Sequence, residues 1–385
     1  MTRQLSPGDL CTPLRPTPER ASEIEELWAD YRRGQNRRVP VIFASDEQLW
    51  LKVAGHTFKE FYLGPRVHLQ VQLEGRLWFC EHVPGDMLPG LPERWDVGVQ
   101  LWMEENEFFG CTVTYQEDDY AWGQPLELDG QELLSYLANL DAEEQVRHSS
   151  AYRMYQALCE LAEGLSFRDR PVAVVRPGRG THGIFTKAAE VRGLERLCLD
   201  LHEQPDFADE YLRLITENTI ARIAAWRRLT GGEARSGEWC SYPDDSLQMI
   251  SAADYARFVL PCHQALYAAS CKFKRGIHLC GQAQQHYAVL HDRLGVTSID
   301  GPGPFIDHGH YLQAFPDLSF NAQTEHTVVQ FGSPPEVEEM MRGLLNPRAK
   351  VPGRFNVAGF VARTTPLCNI QACYEAGLRY GAIET

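Results

Sequence analysis

Several things are missing from this chain, and each absence narrows what it can be. No segment approaches the roughly 18 consecutive apolar residues that a membrane-spanning helix needs, and the polar, proline-rich stretch at residues 1–20 carries no hydrophobic signal core. Positive charge is in deficit: 37 Lys and Arg face 52 Asp and Glu, a formal net charge of -15. Binding to nucleic acid or to an anionic membrane draws on a basic surface, so this balance argues against both. It leaves room for an anionic small substrate held by a local arginine cluster. There is no internal repeat and no low-complexity tract. The eleven cysteines do not read as a disulfide framework. Their number is odd, and most, such as Cys159, Cys198 and Cys271, lie in periodic apolar segments, as reduced core thiols do. A cytoplasmic protein is expected.

What is present is a long chain, 385 residues, with 44% hydrophobic residues spread along it, enough to bury a large core. After a loose arm, Thr17-Pro18 supplies an N-cap and an N1 proline for a helix to about residue 33. Residues 38–43 read as a strand and 46–75 as largely helical. Residues 77–130, rich in Trp, Phe and acidic residues, read as irregular strands and loops, a cap or lid in which Trp78, Phe108, Phe109 and Trp122 either line a substrate or pack the cap. Beyond it the pattern alternates. Helices are expected over 141–166, 184–202 and 206–229. Strands are expected over 171–176 and near 234–239, 274–280, 295–300, 317–322 and 354–358. Ser251, Ser333 and Thr365-Pro366 open further helices. Such alternation implies parallel strands with crossover helices, and the number of units fits a (β/α)8 TIM barrel with an N-terminal extension (1–34) and a cap-like insertion in a 35–385 body. A doubly wound sheet is the alternative.

The most chemical stretch is Gly276-Ile277-His278-Leu279-Cys280-Gly281. Residues two apart on a strand point the same way, so His278 and Cys280 are aimed at one point. Imidazole with thiolate favours zinc, which needs at least one more protein ligand from another strand end. Without one, the pair is ordinary core packing. Glu238, Cys240, Asp244 and Asp245 follow or end another expected strand. The two aspartates are candidates for acid/base work or for the metal. Arg176-Pro-Gly-Arg179-Gly-Thr-His182-Gly contains a formal GxGxxG, but no second strand ending in an acidic residue follows at the dinucleotide spacing. Arg176, Arg179 and His182 then remain in a strand-to-helix loop suited to an anion, the two arginines as substrate-binding candidates and His182 as a catalytic candidate. Asp300, Asp307 and Asn321 stand at or after later strand ends, as substrate-binding candidates. His308 and His310 repeat the i, i+2 spacing in a polar loop.

Taken together, His278-Leu-Cys280-Gly281, Leu294-Gly-Val-Thr-Ser-Ile-Asp300, Phe331-Gly-Ser-Pro-Pro-Glu336 and Thr364-Thr-Pro366-Leu-Cys-Asn369 with Tyr380-Gly381 resemble the uroporphyrinogen decarboxylase superfamily. The branch they look closest to is the zinc-dependent, corrinoid-linked methyltransferases. The resemblance implies a (β/α)8 barrel with its site at the C-terminal mouth. It also implies zinc on a His-x-Cys pair and a distant Cys, and a thiol made nucleophilic by the metal for methyl transfer to or from a corrinoid. Phe360 stands where the distant Cys is expected, so either the third ligand falls to Glu238, Cys240, Asp244 or Asp245, or the zinc has been lost. Cys368, inside the following helix, is out of register. No Asp-x-His-x-x-Gly corrinoid signature occurs in the chain, so a separate partner protein is expected to carry the corrinoid. The expected function is methyl transfer between a small-molecule substrate and that corrinoid. Two alternatives stand beside it: a decarboxylase of a tetrapyrrole or related polycarboxylate, and a non-catalytic small-molecule-binding barrel. The decarboxylase branch fits less well, because the stretch around Asp46 lacks an arginine-rich run. A homodimer follows only by analogy.

Overall fold

The structure is a computed structural model describing residues 17–87, 90–177, 180–232 and 239–384. The chain forms two compact units. One comprises Met1–His56, Gln70–Glu93 and Ser298–Thr385; the other comprises Thr57–Leu69 and Arg94–Thr297.

In the first unit Thr17 accepts a hydrogen bond from the Arg20 backbone N–H and Pro18 opens the Pro18–Arg33 helix, as the sequence predicts. The strand Val41–Ala44 alternates, with Val41 and Phe43 buried and Ala44 exposed. It runs parallel to Phe355–Phe360, with Val41 opposite Val357. That strand runs parallel to Ser319–Gln323, which in turn pairs with Ser298–Asp300 at the end of the Val296–Asp300 strand. Gly359 is needed where it is: a Cβ there would lie 2.5 Å from the Phe43 ring. The helices Pro334–Leu344 and Leu367–Tyr380 pack on each other through Val337, Met341, Ile370 and Cys373. Each such aliphatic side chain, fully buried, contributes about 1.5–3 kcal/mol. Ser333 closes a capping box with Glu336. Asp46, at the end of the first strand, is also a cap, accepting from the Gln48 N–H.

A fully buried carboxylate, Asp86, ties this unit together. It accepts from Arg38 at 2.6 and 2.7 Å, Arg20 at 3.1 Å, the Val41 N–H at 2.8 Å and the Tyr374 hydroxyl at 3.1 Å. Burial, then the Asp86 charge, pushes the Tyr374 phenol up to about 12, which keeps it a donor.

In the second unit Trp95–Val97 runs parallel to Arg170–Val174, and Trp239–Pro243 runs parallel to Lys274–His278 with Pro243 opposite His278. The long helix Pro205–Leu229 starts on its proline. Its buried face, Leu212, Ile215, Thr219, Arg222, Ile223 and Trp226, follows the helical period and packs against the Gly130–Ala138, Ala142–His148, Ile184–Arg192 and Leu194–Glu203 helices.

Across both units the architecture is mixed α/β, with parallel-paired strands separated by helices. Of the strand expected near 234–239, residues 234–238 lie outside the described residues, and Trp239 opens the Trp239–Pro243 strand, in which Cys240 and Tyr242 are buried. The helix expected over 184–202 is two, Ile184–Arg192 and Leu194–Glu203, parted at Gly193 with φ +90°. The helix expected over 141–166 is two, Ala142–His148 and Ser150–Ala162, split at Ser149, which leaves the helical region to cap the second. Among its described residues, the 77–130 region, expected to be irregular, begins with the end of the Pro65–His82 helix and then holds the Trp95–Val97 strand, the Glu104–Phe108 helix and a small hairpin, Val113–Thr114 with Trp122–Gly123. Phe108 and Phe109 are buried in packing, and Trp122 is exposed. Among the described residues no helix is long and apolar enough to cross a membrane.

Candidate active site

The parallel register places the last residues of two strands of the second unit side by side. Pro243 lies opposite His278, and the Asp244 N–H donates to the His278 carbonyl at 3.0 Å. Just beyond, Asp245 starts a short 3-10 helix and its carboxylate accepts from the Cys280 N–H at 2.7 Å. The His278 Nε2 lies 2.6 Å from the Cys280 Sγ. One ligand atom from each of Asp245, His278 and Cys280 falls within 4.8 Å of the others, with Asp245 and His278 half-buried and Cys280 exposed. Nitrogen, sulfur and oxygen donors in one cluster suit zinc among the common divalent ions.

Asp244, one residue earlier, is wholly buried. Its carboxylate accepts from the Phe185 and Thr186 N–H groups at 3.1 and 2.7 Å, from the Thr186 hydroxyl at 2.7 Å and from His263 Nε2 at 2.8 Å. It thus satisfies the N-terminus of the Ile184–Arg192 helix, whose own N-cap, Gly183, has no side chain to do so. Gly183 sits at φ +82°, and a Cβ there would meet the Pro243 carbonyl at 2.3 Å, so only glycine allows this approach. His263 in turn takes the Tyr255 hydroxyl on Nδ1 at 3.1 Å. Burial, then the Asp244 charge, raises the Tyr255 phenol, which stays protonated. The Thr186 hydroxyl also accepts from the Ser246 N–H at 3.0 Å, fixing the turn that carries Asp245.

A pocket of about 260 Å³ opens next to the same strand, lined by Val99, Leu101, Trp102 and Pro243 with Gln100, Glu104, Glu105, Gly180, Thr181 and His182. Glu105 is 3% exposed. It accepts from the His182 N–H and from His182 Nδ1, both at 3.0 Å, and pairs with Arg222 and, at 3.5 Å, with Lys187. Burial pushes the Glu105 carboxyl up, but the charges of Arg222 and Lys187 and the hydrogen bond from His182 outweigh it and hold the group well below the usual carboxylate range. Its neighbour Glu104, also paired with Arg222, is raised, by burial first and by the Glu105 charge after the opposing pull of Arg222.

The remaining sequence candidates are placed as follows. Cys240 is buried, with its Sγ donating to the Ser270 carbonyl at 3.4 Å, outside the cluster. Arg176 is exposed and donates to the Gly231 carbonyl. Arg179 and Glu238 lie outside the described residues. In the first unit, Asp300 and Asn321 do meet. Asn321 donates to Asp300 at 2.6 Å and accepts from Asn356 at 2.5 Å, a polar row across three neighbouring strands at matched register. Asp307 is exposed, caps the His308–Ala314 helix and pairs with Arg348 at 3.2 Å. His308 is buried with Nε2 donating to the Pro302 carbonyl. Phe360 is half-buried, with its ring edge-on to His326.

Sequence reasoning missed Glu105, Arg222, Lys187, Trp102 and Thr181. One signal was available: Arg222 and Lys187 sit at core positions of helical patterns, among Ile215, Thr219, Ile223 and Trp226 and among Ile184, Phe185, Ala188 and Val191. A charge on an apolar face marks a buried partner. Nothing in the sequence pointed to Glu105 as that partner.

No family model and no curated protein matches the chain. Among solved structures it is similar to a methyltransferase from Methanosarcina mazei, with a TM-score of 0.62 over 93% of this chain and 99% of that one, at 14% identity. At that identity the likeness is one of fold, a shared architecture of parallel strands and crossover helices.

Proposed function

We propose that the chain is a barrel methyltransferase moving a methyl group between a small substrate and a corrinoid carried on a partner protein, at zinc held by Asp245, His278 and Cys280. The observation that carries this is the convergence of those three ligand atoms within 4.8 Å at the ends of two parallel strands, where barrel enzymes keep their chemistry. The fold likeness to a methyltransferase supports it. Asp245 would stand in for the thiolate that Phe360 replaces in the family pattern. When bound, zinc supplies the Lewis acidity that brings a thiol to its nucleophilic form near neutral pH. The chain's own residues do the rest. The Asp244–Thr186 network sets the turn bearing Asp245, and the Asp245–Cys280 hydrogen bond sets the spacing of the donors. Val99, Leu101, Trp102 and Pro243 give the adjacent pocket apolar walls that suit a methyl-bearing small molecule.

Elemental analysis of purified protein tests the metal, with about one zinc per chain expected and loss in H278A and C280S. Methyl transfer between free methylcobalamin and a small thiol, followed by the cobalamin spectrum, tests the reaction. Metal-free protein that releases carbon dioxide from a tetrapyrrole would replace this reading with the decarboxylase. Failure of both assays with a small molecule still bound would leave a binding barrel.

A further inference from the structure

We propose that His182 is a proton acceptor for a hydroxyl or thiol bound in the 260 Å³ pocket, with Glu105 as its positioning residue. The inference rests on the proposed methyl transfer only for what the deprotonated group does next. The Glu105 carboxylate can only accept, so the ring must place its proton on Nδ1, 3.0 Å away. That leaves the lone pair on Nε2. The ring is 30% exposed, lines the pocket, and has no partner for Nε2 among the described residues. Base, orienting acid and cavity are thus the arrangement that activates a nucleophile.

The surroundings fix the orienting acid. Arg222 from the Pro205–Leu229 helix bridges Glu104 and Glu105, and Lys187 from the Ile184–Arg192 helix lies 3.5 Å from Glu105 and 2.7 Å from the Asn106 side chain. These groups, with the Trp102 ring 5.7 Å from His182, are what His182 faces. A second observation points to a ligand. Thr181, 6% exposed, lines the same pocket, and its hydroxyl is buried with no partner, a position that costs about 1–3 kcal/mol unless something bonds to it. A small R–X–H molecule, X being oxygen or sulfur, answers both groups. Its X–H bond breaks toward Nε2, the N–H bond forms there, and the X atom keeps the electron pair. Glu105 stabilises the resulting imidazolium through Nδ1–H.

Long-range 1H–15N spectra of histidine-labelled protein test this, with His182 assigned by its loss in H182Q and phenol as the probe. At pH 8 the Nδ1–H tautomer is expected, and millimolar phenol should shift the Nε2 resonance. An Nε2–H tautomer, or an Nε2 resonance unmoved by phenol, overturns the proposal. E105Q should abolish the tautomer preference; an unchanged tautomer would reduce Glu105 to a packing role and overturn it as well. Should E105Q fail to fold, the wild-type spectrum decides alone. The measurement needs neither metal nor corrinoid, so it stands apart from the methyl-transfer assay. In that assay H182Q should keep its zinc and lose about 100-fold in turnover.

Discussion

Each unit of this chain holds a buried carboxylate cluster built on arginine, Asp86 in one and Glu105 in the other, and the two do opposite things. Around Asp86, among the described residues, the partners turn to the carboxylate and leave no free tip beside a pocket, Arg20 using its second nitrogen on Glu23. Arg20, Arg38, Tyr374 and the Val41 N–H all converge on it, and the cluster stitches a helix, a strand and a loop together. Around Glu105 the partners include His182, which gives the carboxylate one nitrogen and the pocket the other. A buried ion cluster is by itself weak support for a site, because stability and chemistry both use it. The half-exposed tip at the edge of the second cluster separates the two.

The comparison breaks first at Asp86. D86A leaves the part-buried Arg38 without its counter-charge and Arg20 with Glu23 alone, and should cost about 3 kcal/mol in urea unfolding, the low end for a buried pair, while methyl-transfer turnover per folded molecule stays as it was. A loss under about 1 kcal/mol would mean that this cluster is not structural. E105Q keeps shape and some hydrogen bonding, so about 2–3 kcal/mol is expected, together with the change in His182 described above.

A buried histidine from each unit sharpens the contrast in acid. His68, in the second unit, is pushed down to about 4 by burial, against backbone hydrogen bonds that raise it. With Nδ1–H donated to the Phe61 carbonyl, its Nε2 lies 3.1 Å from both the Gln100 N–H and the Gly98 carbonyl, and protonation would exchange the first bond for the second. His308, in the first unit, is also pushed down to about 4, again by burial. Both folded values lie below the ordinary 6.5. The unfolded chain therefore binds more protons, and stability that is full above 6.5 is lost as pH falls toward 4. Each histidine contributes a slope of up to about 1.4 kcal/mol per pH unit in that window. Glu105, held well below the carboxylate range, keeps its contribution there and loses it only at lower pH. Urea titrations at pH 7 and pH 5 should show the loss, and H68N or H308N should each remove its share. Unchanged slopes in both variants would assign the acid sensitivity elsewhere. Because Gln100 lines the pocket, protonating His68 should also weaken phenol binding, and protonating His308 should not.

Much of this was legible from residue pattern. Strand and helix alternation, the Thr17, Ser251 and Ser333 caps, and the pairing of His278 with Cys280 follow from periodicity and spacing, which act over a few residues. The partner of that pair was legible only as a set of candidates. The choice of Asp245 over its neighbour Asp244 depends on one residue of register. Asp244 turns in to the Ile184–Arg192 helix and His263, and Asp245 turns to Cys280. The Glu105–Arg222–Lys187 cluster joins Glu105 to an arginine 117 positions further on and to a lysine on a third segment, and no local pattern encodes such a meeting. The same holds for the Asp300–Asn321–Asn356 row, two of whose members stand out as polar strand ends, while the third reads as one more strand residue.

The smallest expected effect is at Asp307, which the sequence offered as a substrate contact. Its carboxylate accepts from the His310 N–H at 3.0 Å as the cap of a short helix, and it pairs with Arg348 across a half-exposed surface. Removing the cap in D307A should cost about 1 kcal/mol. The ion pair adds no more than about 0.5 kcal/mol and fades with salt, so R348A should be nearly silent. D307N, which can still cap, should lie within about 0.5 kcal/mol of the parent. KM for the methyl acceptor should be unchanged in all three. A rise of about ten-fold in D307N would move Asp307 from the surface of the first unit into the chemistry, and would show that an acid spent on a cap can also hold a substrate.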